Sequence, residues 1–171
     1  ISSHYADFLA GVHIPKFDRK MGGGALMDMN IYNINFCVSL FGQPNQISYL
    51  PTIQRGTDTS GILNLTYDDK QASLIAAKDA VGPTRSYIEG EKGLIYFDGP
   101  LNALPDYYVQ IGKEEPKHYN FNKYDHRMIS EFNYFARKIK EHDQQAADEA
   151  AEHSLNAISV LEKAQEFLPH D

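Results

Sequence analysis

A chain of 171 residues with 42% hydrophobic and 23% charged residues can bury one sizeable core, and it has the balance of a globular protein rather than a disordered one. A net charge of −7, with the acids gathered in the last third and no basic stripe, excludes the usual kind of nucleic-acid-binding surface. The single cysteine, Cys37, excludes an internal disulfide framework and fits a reducing, cytoplasmic compartment, and no apolar run reaches membrane-spanning length. The chain starts without an initiator methionine or a signal peptide and reads as a piece of a longer protein.

In chain order, Ile1 to Phe8 alternates loosely and is expected as a strand. A loop with Pro15 follows, and Arg19 and Lys20 stand just before Gly22-Gly23-Gly24. A helix N-terminus flanked by glycines can hold an anion on its free N–H groups, which makes Lys20 a candidate substrate-binding residue. The plainer alternative is that the glycines let backbone segments approach closely. The run is not a dinucleotide fingerprint: G-x-G-x-x-G needs a small residue where Met27 stands, and no βαβ unit precedes it.

From Ala25 the sequence supports about five turns of helix, until Gly42-Gln43-Pro44 stops it. At 100° per residue, Asp28, Tyr32, Asn35 and Ser39 share one narrow polar stripe, while Leu26, Met29, Ile31, Ile34, Phe36, Cys37, Val38, Leu40 and Phe41 cover the other faces. A helix apolar nearly all round is a buried helix, and its polar stripe must find partners. The stripe either bonds to neighbouring backbone or lines a site. Cys37 reads as a small core residue.

Between Gln46 and Phe121 the pattern is β. Ile47, Tyr49 and Ile53 suggest a strand interrupted by Pro51. Leu63 to Tyr67 and Ala72 to Ala77 form a hairpin around Asp68-Asp69-Lys70, and Ser86 to Glu89 and Leu94 to Phe97 form another around Gly90-Glu91-Lys92-Gly93. Tyr107 to Ile111 and His118 to Phe121 add two short strands. A helix capped by Asp125 runs from His126 to about Glu141, with Met128, Phe132, Phe135 and Ile139 as its apolar stripe. A last helix spans about Ala147 to Phe167 and buries Ala151, Leu155, Ile158, Leu161 and Leu168. None of the histidines (His4, His13, His118, His126, His142, His153, His170) pairs at i, i+4 across an acid, so no metal site is expected, and His142 and His153 are expected to face solvent. No G-x-S-x-G elbow supports a hydrolase.

The stretch Gly22-Gly23-Gly24-Ala25-Leu26-Met27-Asp28-Met29-Asn30-Ile31-Tyr32 resembles the G-G-G-[AS]-L-x-D-[IL]-G-[IV]-[HY] motif of the C-terminal domain of the glucose–fructose oxidoreductase / inositol dehydrogenase / rhizopine catabolism (Gfo/Idh/MocA) family. Asn30 departs from it, standing where the family has glycine. The hairpin from Ser86 to Ile95 is a second similarity, and the resemblance extends over nearly the whole chain. It implies an α+β fold, a large antiparallel-rich mixed sheet with helices on one face, in which residues 1–171 are one substrate-binding and dimerisation domain and the N-terminal nucleotide domain lies outside the chain. It further implies a full-length NAD(P)-dependent oxidoreductase that moves a hydride between nicotinamide and a sugar, polyol or related small molecule. The resemblance makes Tyr32 the acid–base residue, Asp28 its catalytic neighbour, and Asn35 a substrate contact, with NAD or NADP bound mainly by the other domain and no metal. An ordinary tyrosine titrates near ~10, so such a base needs a nearby cation; the family's E-K-P lysine is absent here, and Glu115-Pro116-Lys117 has the wrong order. A homodimer or higher homo-oligomer through the open sheet face is implied, without nucleic acid or membrane. A ligand-sensing relative and a purely structural dimerisation domain are the alternatives; Asp28 and Tyr32 sealed in a core would favour the latter.

Overall fold

The computed structural model describes residues 3–104 and 106–169. Ile1 and Ser2, where the first strand was expected to begin, and His170 lie outside the described residues. The expected α+β class holds, with four α-helices and seven strands among the described residues. The chain divides into two compact units, residues 1–81 with 150–171, and residues 82–149. The strands pair as two antiparallel sheets, one of three strands and one of four, rather than as a single large mixed sheet. Gly82 and Pro83 fall in the stretch between them, where proline has no N–H to continue a ladder.

The first unit opens with a helix where a strand was expected: α1 (Ser3–Leu9). The physical reason is a spacing of three, which brings Tyr5 and Phe8 to one face. Both are buried and pack with Phe17, the Phe8 and Phe17 rings stacking at 4.5 Å. After short turns at Pro15–Phe17 and Arg19–Met21 comes a π-helical turn, Leu26–Asn30, which continues into α2 (Ile31–Phe41).

The sheet of this unit has the order β1 (Gln46–Gln54), β2 (Thr57–Thr66), β3 (Gln71–Ala77). Pro51 does not interrupt β1. The strand is an edge of its sheet, and a bulge at Thr52/Ile53 follows the proline. Arg55 and Gly56, both at positive φ, make the two-residue turn into β2, the backbone of a type I′ hairpin. Tyr49, Leu63, Leu65 and Leu74 point to one face, where they form a core with Leu26, Ile34, Cys37 and Val38. The last helix, α4 (Gln144–Gln165), adds Ala157, Val160, Leu161 and Ala164, with Leu168 beyond its end. The expected buried face of α4 is therefore rotated: Leu155 and Ile158 are exposed. Helices cover one face of this sheet. On the other, Leu50, Ile62 and Ile75 sit opposite one another in register and remain exposed.

In the second unit β4 (Arg85–Gly90), β5 (Gly93–Asp98), β6 (Tyr107–Ile111) and β7 (Lys117–Tyr119) pair in sequence order. Tyr87, Tyr96, Tyr108 and His118 are register partners across all four strands, and the Tyr96 and Tyr108 rings stack at 4.8 Å. Such cross-strand aromatic pairs stabilise a small sheet. The helix α3 (Arg127–Glu141) is capped by His126, whose Nδ1 accepts the Met128 N–H, rather than by Asp125. Its stripe of Phe132, Phe135 and Ile139 is exposed. Asp143, expected as part of a link, accepts the Ala146 N–H and so caps the entry to α4.

Candidate functional site

The glycine run solves a packing problem. A Cβ at Gly23 would collide with the backbone of Pro15 to Asp18, and one at Gly24, which has φ +111°, would collide with the Asp58 carboxylate. Asp58 is 1% exposed and accepts the Leu26 N–H at 2.7 Å and the Tyr49 hydroxyl at 2.9 Å. Burial, the Asp58 charge and this hydrogen bond together push the Tyr49 phenol far above its ordinary range. The anion held at this helix entrance is thus the chain's own carboxylate, which leaves no cradle for a pyrophosphate. The glycine run does not fit a dinucleotide. Lys20 lies on the surface beside it; its backbone N–H donates to Asp18 Oδ1, and its ammonium makes no ion pair among the described residues.

Asp28 sits within the π turn, which places an extra residue in the coil and shifts the phase of the polar stripe relative to an ideal α-helix. Its side chain is 41% exposed. One oxygen, Oδ2, is ion-paired with the ammonium of Lys78. Oδ1 has no protein partner among the described residues. Tyr32 is one helical turn further on, 48% exposed, and nothing among the described residues bonds its hydroxyl. Asn35 is half-buried; its amide donates to the Ile31 carbonyl at 2.9 Å, and its Oδ1 lies 3.2 Å from His153 Nε2 on α4. Ser39 donates to the Phe36 carbonyl, so that end of the stripe has the backbone role. Asn30, at the position that departs from the motif, is fully buried, donates to the Leu74 carbonyl and accepts from Asn33.

Two residues beside the stripe escaped the sequence reading. Lys78 shares strand parity with the inward-facing Leu74 and Ala76, a signal that this lysine points under the helix. His153 was expected to face solvent. It precedes buried Ala157, Val160, Leu161 and Ala164 by helical spacings, which puts it at the edge of the face packed against α2. Asp58 had no local signal, because its partners are 32 and 9 residues away.

Asp28 and Tyr32 are thus reachable from solvent rather than sealed. Neither lines the hollow formed by Pro44, Asn45, Ile47, Lys163, Glu166 and Phe167. Among the described residues no three histidine, cysteine or acidic side chains converge as metal ligands, and no helix is long and apolar enough to cross a membrane.

Comparison with known proteins gives this arrangement a lineage. The chain is 29% identical over 167 residues to the scyllo-inositol 2-dehydrogenase (NADP(+)) IolU of Bacillus subtilis, covering 96% of this chain and 50% of that protein. It therefore spans about half the length of the curated relatives it matches. Its fold is shared with the 3-ketoreductase KijD10 of Actinomadura kijaniata, solved with NADP and TDP-benzene, at a TM-score of 0.72 and 17% identity over 90% of this chain and 48% of that one. It is shared too with the aldose-aldose oxidoreductase of Caulobacter crescentus, at a TM-score of 0.64 and 19% identity over 77% of this chain and 43% of that one. A family model described as the GFO/IDH/MocA C-terminal domain matches residues 1–96, more than half of the chain, and the protein belongs to that family.

Proposed function

We propose that residues 1–171 are the C-terminal, substrate-binding and dimerisation half of an NAD(P)-dependent oxidoreductase that interconverts an alcohol and a carbonyl on a sugar, polyol or related small molecule. The observation that carries this reading is the open pair formed by Asp28 and Tyr32 on the motif helix, in a chain matched over 96% of its length to an NADP(+)-dependent inositol dehydrogenase. NAD or NADP is assigned mainly to the N-terminal part of the protein, a reading supported by the closure of the glycine run by Asp58. The nicotinamide supplies the hydride chemistry, and this chain's residues handle the proton and the hydroxyls. Tyr32 takes the proton from the reacting hydroxyl, or returns it to the carbonyl oxygen, and its accessible hydroxyl suits that task. Asp28 accepts a substrate hydroxyl at Oδ1. Asn35, fixed by Ile31 and His153, contacts a further hydroxyl, and Lys20 reaches the substrate from the rim. The bare row of Leu50, Ile62 and Ile75 supports a homodimer through the sheet face. The free, buried Cys37 is consistent with a cytoplasmic protein.

The test is an assay of the full-length protein with NADP+ or NAD+ against a panel of inositols and aldoses. The expected result is saturable, substrate-dependent reduction of the nicotinamide. No reduction across the panel would contradict the assignment.

A further inference from the structure

Lys78 is an ammonium taken out of water. Its side chain is 7% exposed, although it lies just beyond the end of β3, where a lysine could have reached solvent. A charge buried to this degree is retained only when it is paired and hydrogen-bonded. Lys78 has three partners, two in the Pro15–Phe17 turn and one on the motif helix. Nζ is ion-paired with Asp28 Oδ2, donates to the Lys16 carbonyl at 2.8 Å, and lies 5.2 Å from the centre of the Phe17 ring. The Lys16 carbonyl also accepts the Gly24 N–H at 3.0 Å, so the same oxygen ties the lysine to the glycine run. Phe17 is itself buried among Tyr5 and Phe8, and its carbonyl accepts the Thr57 hydroxyl. The ammonium is thus held from two sides, by the Pro15–Phe17 turn and by the motif helix.

The consequence falls on Asp28. Its carboxylate is gripped at one oxygen, Oδ2, while Oδ1 has no protein partner and the side chain stays 41% exposed. A carboxylate free at both oxygens would rotate about its side-chain torsions. Gripped at one, it presents the other in a single direction. We infer that Lys78 is a positioning residue, which fixes the Asp28 carboxylate so that Oδ1 accepts a hydroxyl of a polyol or sugar substrate. This rests on the reading of Asp28 as a substrate-binding group and extends it to a residue outside the family motif.

The experiment uses the full-length protein with the nicotinamide and the inositol or aldose that the panel assay finds, and compares wild type with Lys78→Met, Lys78→Gln, Lys78→Arg and Asp28→Asn. Lys78→Met keeps the stem and removes the charge; it should raise KM about five- to tenfold, as expected for one lost orienting hydrogen bond, with a smaller change in kcat. Lys78→Arg should recover most of the loss. In the Asp28→Asn background Lys78→Met should add nothing, because the group it positions is gone. A purely structural lysine would instead lower the melting temperature and add its effect to that of Asp28→Asn. If Lys78→Met does not fold, Lys78→Gln, which can still donate to the Lys16 carbonyl, gives the same comparison. An unchanged KM in folded Lys78→Met, or in Lys78→Gln where the methionine variant does not fold, with Asp28→Asn still raising KM, overturns the role of Lys78 and leaves the site reading intact. An unchanged KM in Asp28→Asn itself, or a wild type that reduces the nicotinamide with none of the inositols and aldoses of the panel, overturns the site reading, and the role of Lys78 falls with it.

Discussion

Asp58 shows how one residue sets the geometry of its neighbourhood. It joins β2 to the first turn of the motif helix through the Leu26 N–H and to β1 through the Tyr49 hydroxyl, and its carboxylate occupies the volume that a side chain at Gly24 would need. Gly61 completes the arrangement, because a Cβ there would strike the Tyr49 ring. Replacing Asp58 with alanine leaves a buried N–H and a buried hydroxyl unpaired, each costing about 1–3 kcal/mol. The account predicts a loss of about 2–4 kcal/mol for Asp58→Ala in urea unfolding of the full-length protein, and an unchanged midpoint would contradict it. Gly24→Ala should also destabilise, through its positive φ and the collision, by about 1–3 kcal/mol or more. Made together the two should cost less than their sum, since removing the carboxylate relieves the collision. The motif was legible in the sequence as Gly22 to Tyr32; Asp58 was not, because nothing local announces a carboxylate that caps a helix from another strand. For Lys78 the strand parity gives the direction of the side chain but not its partners, Lys16 and Asp28, which are 62 and 50 residues away.

At the scale of elements, α2 is held by its buried side. Cys37 is 5% exposed against the sheet, and burial pushes its thiol from 9.0 to about 11. The protonated form is favoured in the folded state, so the stability this group contributes is fully present below pH 9.0 and is lost as pH rises toward about 11. Tyr67, raised by burial first and then by Cys37 from 10.0 to about 12, acts in the same direction at higher pH. The expected outcome is a urea midpoint that falls above about pH 9, by up to ~2–3 kcal/mol from Cys37, and a shallower fall in Cys37→Ala between about pH 9 and 11. Parallel curves for the two proteins would contradict this. Most elements were legible: the hairpins around Asp68 to Lys70 and Gly90 to Gly93, and the two late helices, follow from alternation, turn residues and helical spacing. The misreadings have local causes. A spacing of three puts Tyr5 and Phe8 on opposite faces of a strand but on one face of a helix, and contact with Phe17 selects the helix. The π turn at Leu26–Asn30 shifts every face predicted at 100° per residue. Leu155 and Ile158 on α4 stay exposed, while Ala157, Val160, Leu161 and Ala164 supply its core face.

For the whole molecule, the face of the three-stranded sheet away from the helices carries Leu50, Ile62 and Ile75 in one cross-strand row, at 65%, 40% and 67% exposure. Under the proposed dimer, a charge in this row would be desolvated on association, a cost that an apolar contact cannot offset. Ile75→Lys in the full-length protein should therefore move sedimentation toward the monomer while the melting temperature of the subunit changes little, and a dimer of unchanged stability would exclude this face. Under the proposed function Tyr32, on the motif helix beside Asp28, transfers the proton in a reaction whose dinucleotide is held outside this chain. Tyr32→Phe removes only a hydroxyl that bonds to nothing among the described residues, so folding should be unaffected. The most direct measurement is the single-turnover rate of NADP+ reduction by full-length wild type and Tyr32→Phe, with a saturating polyol substrate found in the panel assay. The account predicts a fall of about two to four orders of magnitude, the span of a lost general acid–base group, at an unchanged melting temperature. Equal rates would contradict it and reduce Tyr32 to an exposed aromatic on a structural helix.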